Sequence, residues 1–407
     1  MFKKSKSFSL FSKQKQRLTI SKPFIIMVSL LSIVATNLLL GRLASFPAYG
    51  MSGPELKLAT TPIAWQNLVA DPFFIFPKLL HTFGFYYFGQ GGALVTRLPS
   101  AIIGLLSIGA LVLVLKGWHG IKVAVFGSLM FAASAWTLHI SRYGNYDSSY
   151  LVAMPLLLLS QLLLQRVNSR WVIYVVILIW GSLLYTPGMI WFVLLVIWWQ
   201  RSELAAAWQA NNGWWRKLFI TLLSLAWLPL LSFSFYSQPR LILQWLGAPE
   251  HFGSITSIAY NAVQVPFNLF ISGPDNPLLW LGRLPIFDLF STVMVVMGVI
   301  YYIKHWRSGR ARQLASFVAL SIILISLGGP VSLSFVVSLM YFIVAAGLGQ
   351  LLREWYRRFP ANPLARSIGI IILAIAVLVS CTYNLQSYFI AWPHNSDTHA
   401  AFTRKFK

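Results

Sequence analysis

Carboxylates are scarce in this sequence. Asp and Glu together number nine in 407 residues, against 32 Lys and Arg. Charged residues of both signs make up only 10% of the chain, where soluble domains average about 25%. That leaves too little polar surface to coat a water-soluble globule of this length and excludes a string of ordinary soluble domains. Cysteine is nearly absent. Cys381 is the only one, which excludes an intramolecular disulfide and a Cys-based zinc site. No GxxxxGK[ST], GxSxG or HExxH sequence occurs, so ATP-driven transport and those hydrolase classes lack support. His139 and His394 have no second His at ligand spacing. No internal repeat or low-complexity tract appears.

What is present is apolar: 57% hydrophobic residues and a mean hydropathy of +0.69. A membrane-spanning helix needs about 20 mostly apolar residues. Eleven stretches read as spans: 23–40, 98–115, 122–140, 148–165, 171–186, 188–200 (short), 217–236, 285–303, 313–328, 331–350 and 367–388. The expected fold is an all-α polytopic membrane protein of about 11 transmembrane helices, with a long first outer loop carrying interfacial helices. Residues 1–22 form a basic N-terminal segment, 23–388 the transmembrane domain and 389–407 a short tail. The first span reads as a signal anchor, with cleavage near 44–48 as the alternative.

The net charge of +23 could mark a nucleic-acid binder, but the basic residues do not cluster on a soluble face. They sort by side instead. With eleven spans, 22 of the 32 fall in the segments 1–22, 116–122, 166–170, 201–217, 304–312 and 353–366, all on one side. The positive-inside rule makes that side cytoplasmic. Segment 72–89 is apolar enough to cross but carries Lys78 and His81. Crossing there would move every later basic loop outside, so it is expected in the outer interface. The expected localisation is the plasma membrane, with outer loops 41–97 and 237–284 roofing an extracytoplasmic site. No nucleic-acid partner is expected.

Ionisable groups near a bilayer tend to be functional. Glu203 and Glu354 read as solvated cytoplasmic charges beside Arg201 and Arg353. Seven acids fall on or near the outer side. Glu55, in PAYGMSGPELK, is either an exposed loop acid or a general base at the membrane surface. Asp147, in SRYGNYDSSYL, is a helix cap, a partner for Arg142, or a contact for a metal or hydroxyl; Arg142 could hold a phosphate. Arg97 in TRLPSA has interfacial snorkelling as its plain reading. Arg283 has pairing with Asp288.

Around these residues the chain resembles the GT-C superfamily of integral-membrane glycosyltransferases, in particular the protein O-mannosyltransferases and the aminoarabinose lipid A transferase. PAYGMSGPEL is similar to the acid-bearing first outer loop. VTRLPSAIIGLLSIGALVLVLKGW is similar to the RLPSAL-G segment, and SAWTLHISRYGNYDSS to the H-x-SR-x4-D turn, with Ser141, Arg142 and Asp147 in register. FNLFISGPDNPLLWLGRLPIFD and YNLQSYFIAWP resemble the late outer loop and the closing segment. The resemblance implies a polyprenyl-phosphate sugar donor, an envelope acceptor (glycan, lipid or protein), surrounding membrane lipids, and an inverting transfer driven by a first-loop carboxylate. It makes Glu55 and Asp147 the catalytic candidates and Arg142, Arg97 and Arg283 the donor-phosphate contacts. Some members use a divalent metal ion, for which Asp147 is the candidate ligand. One departure matters. The family's Asp-Glu pair is Pro54-Glu55 here, so proline stands at the usual base position. Either Glu55 takes that role or the activity is lost, leaving a scaffold. A lipid-linked-sugar transporter is the other class, disfavoured because most spans carry almost no charge.

Overall fold

The computed structural model describes residues 22–46, 50–60, 65–88, 92–167, 169–211, 213–279 and 284–402. The basic N-terminal stretch 1–21 and Arg283 lie outside them. Among the described residues the chain is helical throughout, with no β-sheet. Six helices are long and apolar enough to cross a membrane, or up to eight if each of two bent pairs is one span. Three more apolar helices, at 24–40, 172–183 and 289–304, are shorter. The expected count of eleven is not reached by this measure.

The bundle is built around α5 (Ala93–His119), α8 (Ser148–Arg166) and α18 (Ser334–Arg358), which are buried over most of their length. The flanking helices α12 (Trp214–Leu225), α13 (Leu228–Ser237) and α19 (Pro363–Gln386) turn apolar side chains outward, among them Leu222, Phe233, Ile371 and Ile375. Apolar residues on the outer surface are what a lipid solvent allows and water does not. Close helix contact comes from small residues, as is usual in membranes. A Cβ on Gly347 of α18 would fall on the Met294 carbonyl of α16 (Leu289–Lys304), and one on Gly298 of α16 on the Ile343 carbonyl of α18.

Three features of the first third of the chain place the polar groups. α1 (Lys22–Leu40) ends where the first loop begins. That loop carries α2 (Gly53–Thr60), α3 (Trp65–Ala70) and α4 (Ile75–Phe88). At about 1.5 Å per residue, the 14 residues of α4 reach only about 21 Å, short of the roughly 30 Å hydrocarbon core. α4 also reverses the pattern of a soluble helix. Lys78 and His81 are buried, while Phe83, Tyr86, Tyr87 and Phe88 are exposed.

The stretch read as one span over 122–140 is broken. α6 (Ile121–Ala133) and α7 (Ala135–Arg142) meet at Ser134 with a 59° bend. The Asn384 side chain accepts the freed Ala135 N–H at 3.2 Å, so that N–H keeps a partner at the break. The bend turns α7 across the bundle end, with His139, Ser141 and Arg142 all buried.

Candidate functional site

Glu55 is fully buried, not an exposed loop acid. Its position follows from local chemistry. Ser52 and Glu55 form a capping box at the start of α2: the Glu55 N–H donates to Ser52 Oγ at 3.3 Å, and the Ser52 N–H donates to Glu55 Oε2 at 2.9 Å. Pro54 fits the first turn because its missing N–H is an orphan there. Arg97, near the start of α5, then closes on the carboxylate as a fork, Nε to Oε1 at 2.7 Å and Nη2 to Oε2 at 3.0 Å. The Gly144 N–H donates to Oε1 at 3.0 Å. The remaining Arg97 protons go to the carbonyls of Leu43, Phe46 and Gly50. Arg97 is 1% exposed, so the snorkelling reading fails. Both guanidinium and carboxylate are saturated by the protein. This partner set ties the first loop to α5; it leaves no lone pair free for a proton and no N–H free for a phosphate.

Arg142 has a similar assignment. Its terminal nitrogens donate to the carbonyls of Leu38, Leu39 and Gly41 at the end of α1. This is a C-cap by a cation, favourable against the helix dipole. The guanidinium lies 5.2 Å from the Phe46 ring and 5.3 Å from that of Phe389. It forms no ion pair with Asp147. Only its Nε lacks a partner, and that atom is buried. Around these two arginines the segments singled out in the sequence converge. His139 Nε2 contacts the Leu278 carbonyl at 2.7 Å, and the His139 ring meets Trp392 at 4.5 Å. Phe402, in the C-terminal tail, packs on Trp392 and Tyr143. Together they line a narrow cleft of about 160 Å³.

Asp147 differs. It precedes α8 but makes no capping bond, so the cap reading fails. Its Oδ2 accepts from Asn145 Nδ2 at 3.0 Å, while Asn145 Oδ1 accepts the Asp147 N–H at 3.1 Å. Oδ1 has no hydrogen-bond partner among the described residues, and the residue is half-buried. Burial pushes its carboxyl up to about 6, with the Asn145 hydrogen bond opposing. This is the environment of a proton acceptor near neutral pH.

One neighbour was not proposed from the sequence. Lys78 is 6% exposed and donates to the Asp71 carboxylate and the Asp71 carbonyl, each at 2.7 Å. Its ammonium lies 5.7 Å from the ring of Tyr146, the residue before Asp147. Burial lowers the Lys78 pKa and Asp71 opposes that. Two of its three protons are used, so one donor remains. Phe74 joins this region together. It sits at φ 55°, a left-handed conformation rare for a non-glycine residue, held by its N–H to the Tyr185 carbonyl at 2.8 Å and by contacts with Tyr146 and Tyr150. The sequence signal for Lys78 was a lysine inside an apolar run seven residues after an aspartate.

No group of three His, Cys, Asp or Glu side chains converges among the described residues.

The sequence matches no protein-family profile and no curated protein. The fold does have relatives. It is similar to ArnT from Cupriavidus metallidurans bound to undecaprenyl phosphate, at 16% identity and a TM-score of 0.54, covering 93% of this chain and 77% of that one. The apo state of the same protein gives a TM-score of 0.50. The Archaeoglobus fulgidus oligosaccharyltransferase in its apo form is similar at 12% identity and a TM-score of 0.51, over 90% of this chain and 56% of that one. The fold is thus shared with ArnT and with the archaeal oligosaccharyltransferase, as the motif resemblance led one to expect.

Proposed function

We propose that the chain is a membrane glycosyltransferase that moves a sugar from a polyprenyl-phosphate donor to an envelope acceptor, glycan, lipid or protein, on the extracytoplasmic face. The observation that carries this reading is Asp147, a carboxylate with one oxygen unpartnered among the described residues and a raised pKa, in the turn whose Tyr146 ring stands 5.7 Å from the buried ammonium of Lys78. ArnT, a neighbour in fold, has been solved with undecaprenyl phosphate, which supports a donor of that chemistry.

In this mechanism Asp147, rather than Glu55, takes the proton of the acceptor hydroxyl. The hydroxyl oxygen attacks the anomeric carbon, and the bond from that carbon to the phosphate oxygen breaks. Its electron pair leaves with polyprenyl phosphate. A single displacement inverts the anomeric centre. Phosphate is a good leaving group, so the main tasks are deprotonating the acceptor and balancing phosphate charge. Lys78 supplies that balance with its remaining proton. Glu55, Arg97 and Arg142 hold the loop and α7 in place around the reacting groups.

Asp147 must be ionised to work, so activity rises with pH through about 6 and is flat above it. A profile of kcat/KM should fall about tenfold per unit well below that pH. A profile flat down to pH 4.5 would remove Asp147 from the role. Replacing Lys78 with methionine keeps the stem and removes the charge. It should raise KM for the donor about tenfold or more, the weight of one charge-assisted hydrogen bond. An unchanged KM would place the phosphate elsewhere.

A second reading has its own observation. Proline stands at the family's base position, and Glu55 beside it is sealed by five contacts. A GT-C scaffold that binds a lipid-linked sugar without turning it over would show the same. Purified protein in liposomes, given a panel of polyprenyl-phosphate hexoses and pentoses and an envelope extract as acceptor, separates the two: the enzyme releases polyprenyl phosphate and the scaffold only retains the donor.

A further inference from the structure

The bundle end opposite Asp147 carries a second polar cluster that the glycosyl-transfer reading does not use. α5, α8, α16 and α18 finish there, and α17 (Gly309–Ser326) begins there. Arg310 and Arg353 each lie close enough to His119 and to Tyr302 to act on them electrostatically, and Arg166 acts on Arg310. Part of this is ordinary helix capping. Arg310 donates to the Trp118 carbonyl at 3.2 Å and Arg166 to the Gly117 carbonyl at 2.6 Å, both at the end of α5.

Capping does not account for the rest. Among the described residues no carboxylate pairs with Arg166, Arg310 or Arg353. Glu354, next in the chain, is taken by Arg357 at 2.8 Å and by Gln350. The Arg353 guanidinium rests 4.4 Å from the ring of Tyr301. Tyr302 is 8% exposed and its hydroxyl has no partner among the described residues; the buried Nε2 of His119 has none among them either. Buried polar atoms without partners are uncommon in native proteins and ask for an explanation. Here a tyrosine hydroxyl and an imidazole nitrogen without partners lie near Arg310 and the exposed Arg353, neither of which has a counter-ion among the described residues. A phosphate, with several acceptor oxygens, can meet both guanidinium groups and both polar atoms at once.

We propose that this end binds the phosphate of an anionic phospholipid, with Arg310 and Arg353 supplying charge and Tyr302 and His119 supplying hydrogen bonds. A lipid is favoured over free phosphate because the exposed face of α16 is apolar from Val293 to Ile303 and leads up to Tyr302. An acyl chain can follow that face while the headgroup sits in the cluster.

The test is native mass spectrometry of the full-length protein in detergent with phosphatidylglycerol, phosphatidylcholine or inorganic phosphate. The expected result is retention of one phosphatidylglycerol in preference to phosphatidylcholine. Arg310→Gln with Arg353→Gln should lower that retention about a hundredfold, about tenfold per guanidinium. Tyr302→Phe leaves net charge and packing in place and should lower it about threefold to tenfold. Should the double variant fail to fold, Tyr302→Phe and Arg353→Gln singly carry the test. Equal retention of the two lipids overturns the proposal. So does retention unchanged by Tyr302→Phe, because a diffuse positive surface would not sense a neutral hydroxyl. Inorganic phosphate binding as tightly as phosphatidylglycerol overturns the lipid as occupant in favour of the free ion.

Discussion

Arg97→Ala is expected to destabilise the folded protein by about 3–5 kcal/mol, the cost of breaking a buried ion pair by removing one member. The size follows from what remains behind. Glu55 is fully buried, and after the substitution its charge would keep only the Ser52 and Gly144 donors. The carbonyls of Leu43, Phe46 and Gly50 would lose their shared donor at the same time. The readout is the thermal midpoint of the detergent-solubilised protein and its monodisperse fraction. A control decides whether the pair or the position matters. Arg97→Met with Glu55→Leu removes both charges together and should recover much of the loss, since paired buried charges can often be replaced by apolar groups of similar volume. Arg97→Ala protein as stable as the parent would show that the first loop is held some other way.

Asp147→Asn is expected to remove turnover by a factor of about 10²–10⁴, the usual weight of a general base. The amide keeps the shape of the side chain, and its oxygen can still accept from Asn145. Folding and donor binding should therefore be unchanged, and the loss should fall on kcat. Glu55→Gln behaves in the opposite way under the same scheme. It weakens the Arg97 fork and the capping box, so it costs stability first and activity only through loss of folded protein. The two variants thus separate a residue that touches the acceptor from one that positions the loop. Equal loss of both turnover and stability in Asp147→Asn would assign Asp147 to structure as well.

Much of the architecture was legible in composition and hydropathy, because the bilayer imposes one rule on every segment that crosses it: long, apolar and helical. What was not legible lay at helix ends. The bend at Ser134 falls inside an unbroken apolar run, and the group that repairs it, Asn384, is 250 positions away in sequence order. Hydropathy carries no trace of that partner. The arginines were read as phosphate contacts because a guanidinium fits a phosphate. In a dry interior it also fits a cluster of backbone carbonyls, and the end of α1 supplied them for Arg142. Glu55 is the instructive case, since Ser52-Gly53-Pro54-Glu55 has the Ser-x-x-Glu spacing of a capping box and could have been read as one. The motif match at Asp147 falls on a carboxylate whose pKa burial raises. Lys78 was visible only as an awkward charge in an apolar stretch, and its buried position beside Tyr146 turns that awkwardness into a reason for function.

The central claim is that Asp147, rather than Glu55, is the group on which sugar transfer turns. The most direct measurement follows release of polyprenyl phosphate from polyprenyl-phosphate sugars by purified protein in liposomes supplied with an envelope extract as acceptor, comparing the parent, Asp147→Asn and Glu55→Gln at equal amounts of folded protein. The expected result is release by the parent, release by Glu55→Gln within about tenfold of it, and none by Asp147→Asn although the donor still binds. Full release by Asp147→Asn, with loss only in Glu55→Gln, would contradict the claim.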